Sequence, residues 1–387
     1  MPGISCATNL TFFMDKVTRA VDEGKAVDII YLDFAKAFDK VPRQRLLNKL
    51  RAKGVDVNIV NWIENWLSNR NQKVCIQGEK SEDCNVDSGV PQGTVLGPIL
   101  FTVYIDDLEV EVVRRLLEVL IVKFADDTKG AKVIESAADR DKLQEALDCL
   151  CDWAEKWGMA FNIAKCKVMH IGRHNPGYEY TMRGTKLGET DEERDIGVMI
   201  TKTLKPSVQC DKAAGRALSV LGQIRRNFHY QDRHTFIRLY KQYVRPHLEF
   251  AAPSWSPWLT GDIEKLEKVQ EKAVKMVAGL RAKDYRERCI ELGLETLEER
   301  RQNQDLALAH KMMLNSTTML QPIRGENRVR TRQAAAAHGL AVQYARTDTR
   351  KYSFTVRVVD PWNRLPDTVK TAPTKEAFKR ELKHSKL

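Results

Sequence analysis

The stretch Leu120-Ile121-Val122-Lys123-Phe124-Ala125-Asp126-Asp127-Thr128-Lys129-Gly130-Ala131-Lys132-Val133-Ile134 constrains this chain more than any other. An apolar, β-favouring run leads into two adjacent acids, and a short Lys/Gly turn and a second β-favouring run follow. The pattern predicts a hairpin with a carboxylate pair at its tip. Neighbouring like charges at a strand end are unfavourable unless a cation lies between them. Mg²⁺ suits such a place, because it takes one or two carboxylates and completes its shell with water and phosphate oxygens. A plain polar hairpin turn also carries such a pair, so the rest of the chain must separate the two readings.

The chain supplies more of the same chemistry. After a helix with Leu10, Phe13, Met14 and Val17 on one face, capped by Gly24, the run Val27-Asp28-Ile29-Ile30-Tyr31-Leu32-Asp33-Phe34 reads as a strand ending in an acid. A basic amphipathic helix over 43–53 and a second carrying Ile59, Trp62, Ile63, Trp66 and Leu67 follow, the aromatics read as core. A hairpin is expected from 72–77 and 83–87. Residues 88–98 hold three glycines and two prolines, a loop with special backbone angles. A helix opens near Pro98. A long helix with Leu143, Ala146, Leu147, Leu150, Trp153 and Ala154 buried spans 139–157 and ends at Gly158. Strands are expected near 160–163, 166–171 and 195–200. Helical patterns then dominate, over 206–226, 232–248, 262–278 and 296–314. Residues 324–353 read as a basic linker or surface arm, Phe354 to Val359 as a β run, Pro361-Trp362 as a turn and 374–383 as a final helix.

A strand-end acid beside a hairpin acid pair is what two-metal phosphoryl transfer needs: two cations roughly 3.5–4 Å apart, one at the attacking hydroxyl and one at the leaving pyrophosphate. Composition fits such a partner. The 387 residues carry 63 Lys+Arg against 52 Asp+Glu, a formal charge of +11, which favours a polyanion. With 43% apolar residues the chain can bury a core. The eight cysteines show no CxxC with a downstream His cluster, so neither a zinc finger nor a zinc knuckle is expected. Free thiols, no membrane-length apolar run and no signal-peptide pattern lead us to expect an intracellular protein without a membrane partner.

YLDFAKAFDKVP (31–42), SGVPQGTVLGPILF (88–101) and KFADDTK (123–129), in that order, resemble the palm motifs of reverse transcriptases, and those of non-LTR (LINE-type) retrotransposons of the chicken-repeat and jockey-like groups in particular. The resemblance continues through WAEKWGMAFNIAKCKVMHIG (153–172), DIGVMI (195–200), LYKQYVRPHLEFAAPSWSP (239–257) and DIEKLEKVQEKAVKMV (262–277), and weakly to NRLPDTV (363–369). It implies an α+β fold: a right-hand polymerase palm with an antiparallel sheet backed by helices (25–200), preceded by a remnant of the fingers (1–24) and followed by a helical thumb (201–260) and a helical basic C-terminal region (261–387). It implies RNA-directed DNA synthesis from dNTPs on an RNA template and a DNA primer, with two Mg²⁺ ions for which Mn²⁺ substitutes.

The resemblance makes Asp33, Asp126 and Asp127 the catalytic, metal-binding carboxylates, Asp127 in part supporting. Phe34 would lend a backbone ligand. Phe38 would be the steric gate that rejects ribonucleotides, with ordinary core as its other reading. Gln92 and Gly93 would contact nucleotide and template. Lys165, or less readily Lys167, would protonate pyrophosphate, and Ile196 to Met199 would grip the primer end. Arg216, Arg225, Arg226, Arg238, Lys241 and Arg245 would hold the template-primer duplex, or else be the solvated faces of packed helices. Tyr104-Ile105-Asp106-Asp107 is a second aromatic-x-Asp-Asp. We set it aside as the metal pair, since it ends a helix, where acids meet the unfavourable end of the dipole, and has no β run before it.

The sequence departs from its relatives in two ways. Only Pro2 to Leu10 resemble the end of the fingers, with Ile4 where relatives usually carry Arg or Lys. No endonuclease and no cysteine-rich terminal motif is recognised. The expectation is therefore a polymerase truncated at its N-terminus, acting alone or with a fuller copy in trans, in the nucleus for target-primed synthesis or in the cytoplasm. The alternative is a catalytically silent remnant that binds RNA or a protein. A group-II-intron or telomerase-like enzyme shares the palm but not the thumb-region resemblance.

Overall fold

Helix α1 (Cys6–Asp22) follows from its apolar repeat and from a capping box in which Ser5 and Thr8 exchange hydrogen bonds. The structure, a computed structural model, describes residues 5–115, 118–228, 232–314 and 338–385. It divides into two units, one of Lys25–Asp191 and one of Met1–Gly24 with Glu192–Leu387, so α1 belongs with the C-terminal half. Ile4 and residues 324–337 of the expected arm lie outside the described residues, while residues 338–353 are described and bury Leu340 and Arg350, so that part is not a free surface arm.

The first unit is built on β1 (Ala26–Leu32), buried along its whole length. Helices α2 (Arg43–Ala52) and α3 (Val57–Leu67) follow. Short strands β2 (Arg70–Gln72), β3 (Cys75–Ile76), β4 (Glu79–Lys80) and β5 (Cys84–Val86) nest as one hairpin inside another, β2 pairing with β5 and β3 with β4. Helices α4 (Leu96–Tyr104) and α5 (Leu108–Arg115) lead into the hairpin β6 (Leu120–Phe124) and β7 (Asp127–Ile134). Then come α6 (Ala137–Trp157), β8 (Lys167–Ile171), and the short β9 (Thr181–Met182), β10 (Thr185–Lys186) and β11 (Gly188–Glu189). The main sheet runs β11-β8-β1-β7-β6. It is antiparallel except that β11 lies parallel to β8. Ile30 and Leu32 of β1 join one apolar cluster with side chains of helices α2 to α6 and of loops that back the sheet, among them Leu46, Val60, Phe101, Leu108, Leu147 and Trp153.

One polar side chain sits inside β1. Asp28 is fully buried and accepts from Tyr180 Oη (2.6 Å), Asn175 Nδ2 (2.7 Å) and His170 Nδ1 (2.7 Å). A buried carboxylate needs such donors, because without them its desolvation would be prohibitive. The hydrogen bond to Asp28 raises the His170 pKa, against a smaller opposing effect of burial.

The second unit opens, after α1, with β12 (Glu192–Asp195) and β13 (Val198–Thr201), followed by α7 (Ser207–Asn227). A continuous helical run comprises α8 (Arg233–Leu239), a π-helical turn (Tyr240–Val244) and α9 (Arg245–Glu249). Pro246 offers no N–H to the carbonyl four residues back, and the backbone widens there. Helices α10 (Thr260–Val274), α11 (Tyr285–Leu292) and α12 (Leu297–Leu314) come next. Short helices α13 (Asp348–Lys351), α14 (Phe354–Arg357), α15 (Val359–Asn363) and α16 (Asp367–Lys370) precede α17 (Lys375–His384). Buried Asp15 of α1 accepts from Arg350 Nη1 (2.6 Å) and from Thr355 Oγ1, tying α1 to the C-terminal segment. No helix among the described residues is long and apolar enough to cross a membrane.

Several sequence expectations change. The hairpin turn is Ala125-Asp126, and Lys129 and Gly130 lie inside β7, level with Tyr31 and Ile30. Trp62 and Ile59 are exposed and not core, on the outer face of α3, with Trp62 stacked on Trp66. Residues 160–163 make a single bridge, Phe34 to Phe161. The 195–200 strand is a hairpin turning at Ile196-Gly197. Phe354 to Val359 is helical: Phe354 and Val358, one turn apart, both enter the cluster around α12, and this packing outweighs β propensity. The Pro361-Trp362 turn is part of α15.

The buried Asp28 network has a pH signature. With the folded His170 pKa above the unfolded value of about 6.5, protonation stabilises the fold. That contribution is complete below the unfolded pKa and is lost as pH rises through the folded one. Urea midpoints from pH 5 to 9 should fall across this window in the wild type, and His170→Gln should flatten that part of the profile. Tyr180→Phe should cost about 1.5–3 kcal/mol at every pH, as loss of a hydrogen bond to a charged group does.

Candidate active site

The register of β1 against β7 brings the sequence-identified acids to one end of the sheet. Leu32 pairs with Thr128, so the next step sets Asp33 level with Asp127. Asp127 pairs with Phe124, which leaves Asp126 in a two-residue turn. Ala125 holds that turn at φ +53°, a left-handed conformation that costs an L-residue on the order of 1–3 kcal/mol. The strain is local to the segment that presents both acids. Asp126 is half-buried and Asp127 exposed.

Asp33 is fixed from its other side. Its carbonyl accepts from Asn162 N (2.7 Å), and its N–H points to Cys166 Sγ (3.5 Å). The Cys166 thiol in turn lies 3.9 Å from the Asp33 carbonyl oxygen. Cys166 is wholly buried, and burial raises its thiol pKa, so the sulfur stays a neutral packing and hydrogen-bonding group. The Asp33 side chain remains 41% exposed, and Lys165 Nζ stands 3.5 Å from its Oδ2. Lys167 lies in β8 level with Tyr31, its ammonium over Gly188. Of the two lysines considered, the turn 162–165 therefore brings Lys165 to the acid.

The loop after Asp33 is locked to the Gly/Pro loop. Phe34 is buried and stacks on Phe161 at 4.4 Å, while half-buried Phe38 stacks on Phe101 at 4.5 Å. Val90 N donates to Phe38 O, Ser88 Oγ to Asp39 O, and Gln92 Nε2 to Asp39 Oδ1 at 3.1 Å. Gly89, at φ +84°, lies so close to Asp39 that a Cβ there would sit 2.6 Å from its carbonyl oxygen. Glycine is needed at that point for both reasons. Gln92 and Gly93 are exposed.

The second Asp-Asp pair is occupied by cations of the fold. Lys53 Nζ contacts Asp106 Oδ2 at 2.5 Å, and Lys49 Nζ contacts Asp107 Oδ1 at 2.5 Å. Trp153 Nε1 donates to Asp107, and the Lys49 ammonium lies 3.6 Å from the Trp157 ring centre. The Lys53 hydrogen bond, more than opposing desolvation, holds the Asp106 pKa below the usual range.

Among the described residues, no group of three or more His, Cys, Asp or Glu side chains is close enough to enclose a metal ion. The donors at the sheet end are hard carboxylate oxygens on adjoining chain segments, partly open to solvent. That set fits a cation such as Mg²⁺, which needs one or two carboxylates and takes phosphate and water oxygens for the rest.

In the other unit, Arg216, Arg225, Arg226 and Arg238 are exposed on α7 and α8, while Lys241 and Arg245 are half-buried. Arg245 lies 3.7 Å from Glu249. Ile196 forms the tight turn between β12 and β13, and Met199 N donates to Gln209 Oε1. Sequence reading missed Cys166, Asn162 and Asp39. A lone cysteine before a strand looks like core, and only the fold places its sulfur under Asp33.

The sequence matches the family model for reverse transcriptase (RNA-dependent DNA polymerase) over residues 3–219. It is 27% identical over 277 residues to the RNA-directed DNA polymerase from mobile element jockey of Drosophila funebris, covering 67% of this chain and 29% of that protein. It is 23% identical to the probable RNA-directed DNA polymerase from transposon X-element of Drosophila melanogaster, covering 69% and 30%. It is 25% identical to a type-1 R2 retrotransposable-element Pol polyprotein of Popillia japonica, covering 48% and 33%. The chain thus spans about a third or less of these relatives. Among solved structures, apo telomerase from Candida tropicalis matches with a TM-score of 0.40 at 14% identity, over 71% of this chain and 46% of that one.

The Cys166 contact can be read directly. Cys166→Ala should raise the exchange rate of the Asp33 amide about five- to tenfold, as loss of about 1 kcal/mol of local stability would. The amides of Ile29 and Ile30 should be unaffected, and Cys166→Ser should restore protection. Native-state hydrogen exchange measures all three.

Proposed function

The chain belongs to the reverse transcriptase family, and on that footing we propose that it is the polymerase portion of a non-LTR retrotransposon enzyme. Its reaction is RNA-templated DNA synthesis, in which a primer 3′-OH attacks the α-phosphate of a dNTP and pyrophosphate leaves. The observation that carries this reading is the meeting of Asp33, Asp126, Asp127 and Lys165 at one sheet end, with Phe38 and Gln92 held by a shared hydrogen-bonded loop.

Asp33, Asp126 and Asp127 would hold two divalent cations, Mg²⁺ with Mn²⁺ as a substitute. Bound there, the cations would supply charge neutralisation and a more acidic primer hydroxyl. The protein's own groups do the rest. Cys166 and Asn162 orient Asp33 through its backbone. Lys165 is placed to give a proton to the departing pyrophosphate. Phe38, backed by Phe101, presents a rigid ring to the sugar of the incoming nucleotide, and the exposed Gln92-Gly93 segment faces nucleotide and template. RNA template, DNA primer and dNTPs are accordingly the proposed partners, with nuclear action for synthesis at a genomic nick. The intact acid set does not favour a catalytically silent remnant.

Primer extension on an RNA template with Mg²⁺ or Mn²⁺ should give incorporation that falls at least about 100-fold in Asp126→Asn/Asp127→Asn, the scale on which loss of a charge-stabilising group acts. Unchanged incorporation would overturn the assignment, and nucleic-acid binding without incorporation would restore the remnant reading. Phe38→Ala should raise ribonucleotide relative to deoxyribonucleotide incorporation by about tenfold or more.

A further inference from the structure

Within the unit formed by α1 and the C-terminal half, a groove of about 850 Å³ opens between the π-helical turn with α9, α12 and α17. Its cations come from three separate elements: Lys241 and Arg245 from the first, Arg300 and Lys311 from α12, and Lys375, Lys379 and Lys383 from α17. The last three recur every four residues. They therefore form one row on the helix, about 6 Å apart. Phe378 and Leu382 of the same helix are buried in the apolar cluster around α12, which fixes the helix with its lysine row exposed.

The groove's two carboxylates, Glu249 and Glu295, are engaged by its arginines and Asn303, not by Lys241 or the α17 row. Glu249 is held by Arg300, through two of its guanidinium nitrogens, and by Arg245, while Glu295 accepts from Arg300 and Asn303. Burial and the nearby positive charges of Arg245 and Arg300 lower the pKa of Lys241. Cations crowded into a concave surface are stabilised by a polyanion that neutralises them together.

We propose that this groove binds the phosphate backbone of a nucleic-acid strand without regard to sequence, and that α17 is the element that extends it beyond the thumb region. The choice of nucleic acid rests on the polymerase reading above, while the binding of a polyanion stands on the groove itself. Among the described residues no aromatic side chain lines it, so neither base stacking nor the aromatic anchoring of a protein partner is built in. What remains is contact with phosphates, which sets affinity and register but reads no bases.

The test is fluorescence anisotropy of a labelled oligo(U) RNA of about 30 nucleotides, well above the span of one groove, in EDTA and without dNTPs, over a series of salt concentrations. Lys375→Gln/Lys379→Gln/Lys383→Gln is compared with the charge-matched Lys268→Gln/Lys272→Gln/Lys275→Gln along α10 and its C-terminal cap. Each phosphate contact to a single strand contributes about 0.7 to the slope of log K against log salt, so the α17 triple should flatten the slope by about 2. The α10 triple should leave it unchanged. An unchanged slope in the α17 triple, or equal loss in both triples, overturns the proposal. Binding of poly-glutamate as tight as RNA also overturns it and assigns the groove to an acidic protein. Because nothing is polymerised in this assay, absence of primer extension would leave its outcome standing.

Discussion

Strand β1 is hydrogen-bonded on both sides, to β7 and to β8, and the registers of those two pairings decide where Asp33 stands relative to the hairpin acids and to the β8 side. A slip of one residue would invert the faces of the strand. It would exchange the strand's two buried faces and move Asp33 away from both the hairpin acids and Cys166. Asp28 guards the register. A fully buried carboxylate with three donors, from His170, Tyr180 and Asn175, has one acceptable place in the sheet, since any shift strands it without partners. Positioning at the acid-bearing end of the strand is thus secured by a polar lock several residues away along it.

The two Asp-Asp pairs show how a fold distinguishes identical letters. Asp106-Asp107 follows α4, and Lys49 and Lys53 reach it from α2, so its charge is spent inside the structure. Asp126-Asp127 is presented by a strained turn at the tip of the hairpin, partly open to solvent, with Asp33 alongside. Like charges in such proximity are tolerable when a cation joins them. The basic residues also divide by their surroundings. Many lysines pair with neighbouring acids, as Lys268 does with Glu264 and Lys275 with Glu271, whereas Lys375, Lys379 and Lys383 of α17 stand in one exposed row.

The C-terminal half is also more than an appendage. Asp15 of α1 is buried against Arg350 and Thr355, and Asp22 accepts from the backbone of Arg346 and Thr347. Removing one partner of a buried pair of this kind leaves an uncompensated charge and typically costs about 3–5 kcal/mol. The first helix and the last described segments therefore depend on each other for stability, although more than 300 residues separate them in the chain.

The sequence by itself determined the acids, the Gly/Pro loop and the long amphipathic helices such as α6, because those features are local: residue type, spacing and periodicity carry them. It misplaced the hairpin turn and assigned a strand to Phe354–Val359. Lys129-Gly130 resembles a turn, and Phe-Thr-Val resembles a strand, until neighbouring elements are present to pair with or pack against. Only the tertiary structure decided that Cys166 and Asn162 hold Asp33, that Lys165 and not Lys167 reaches it, and that Lys49 and Lys53 take up Asp107 and Asp106. Each of these depends on contacts between segments far apart in the chain, and no local pattern encodes which side chain a strand register brings opposite another.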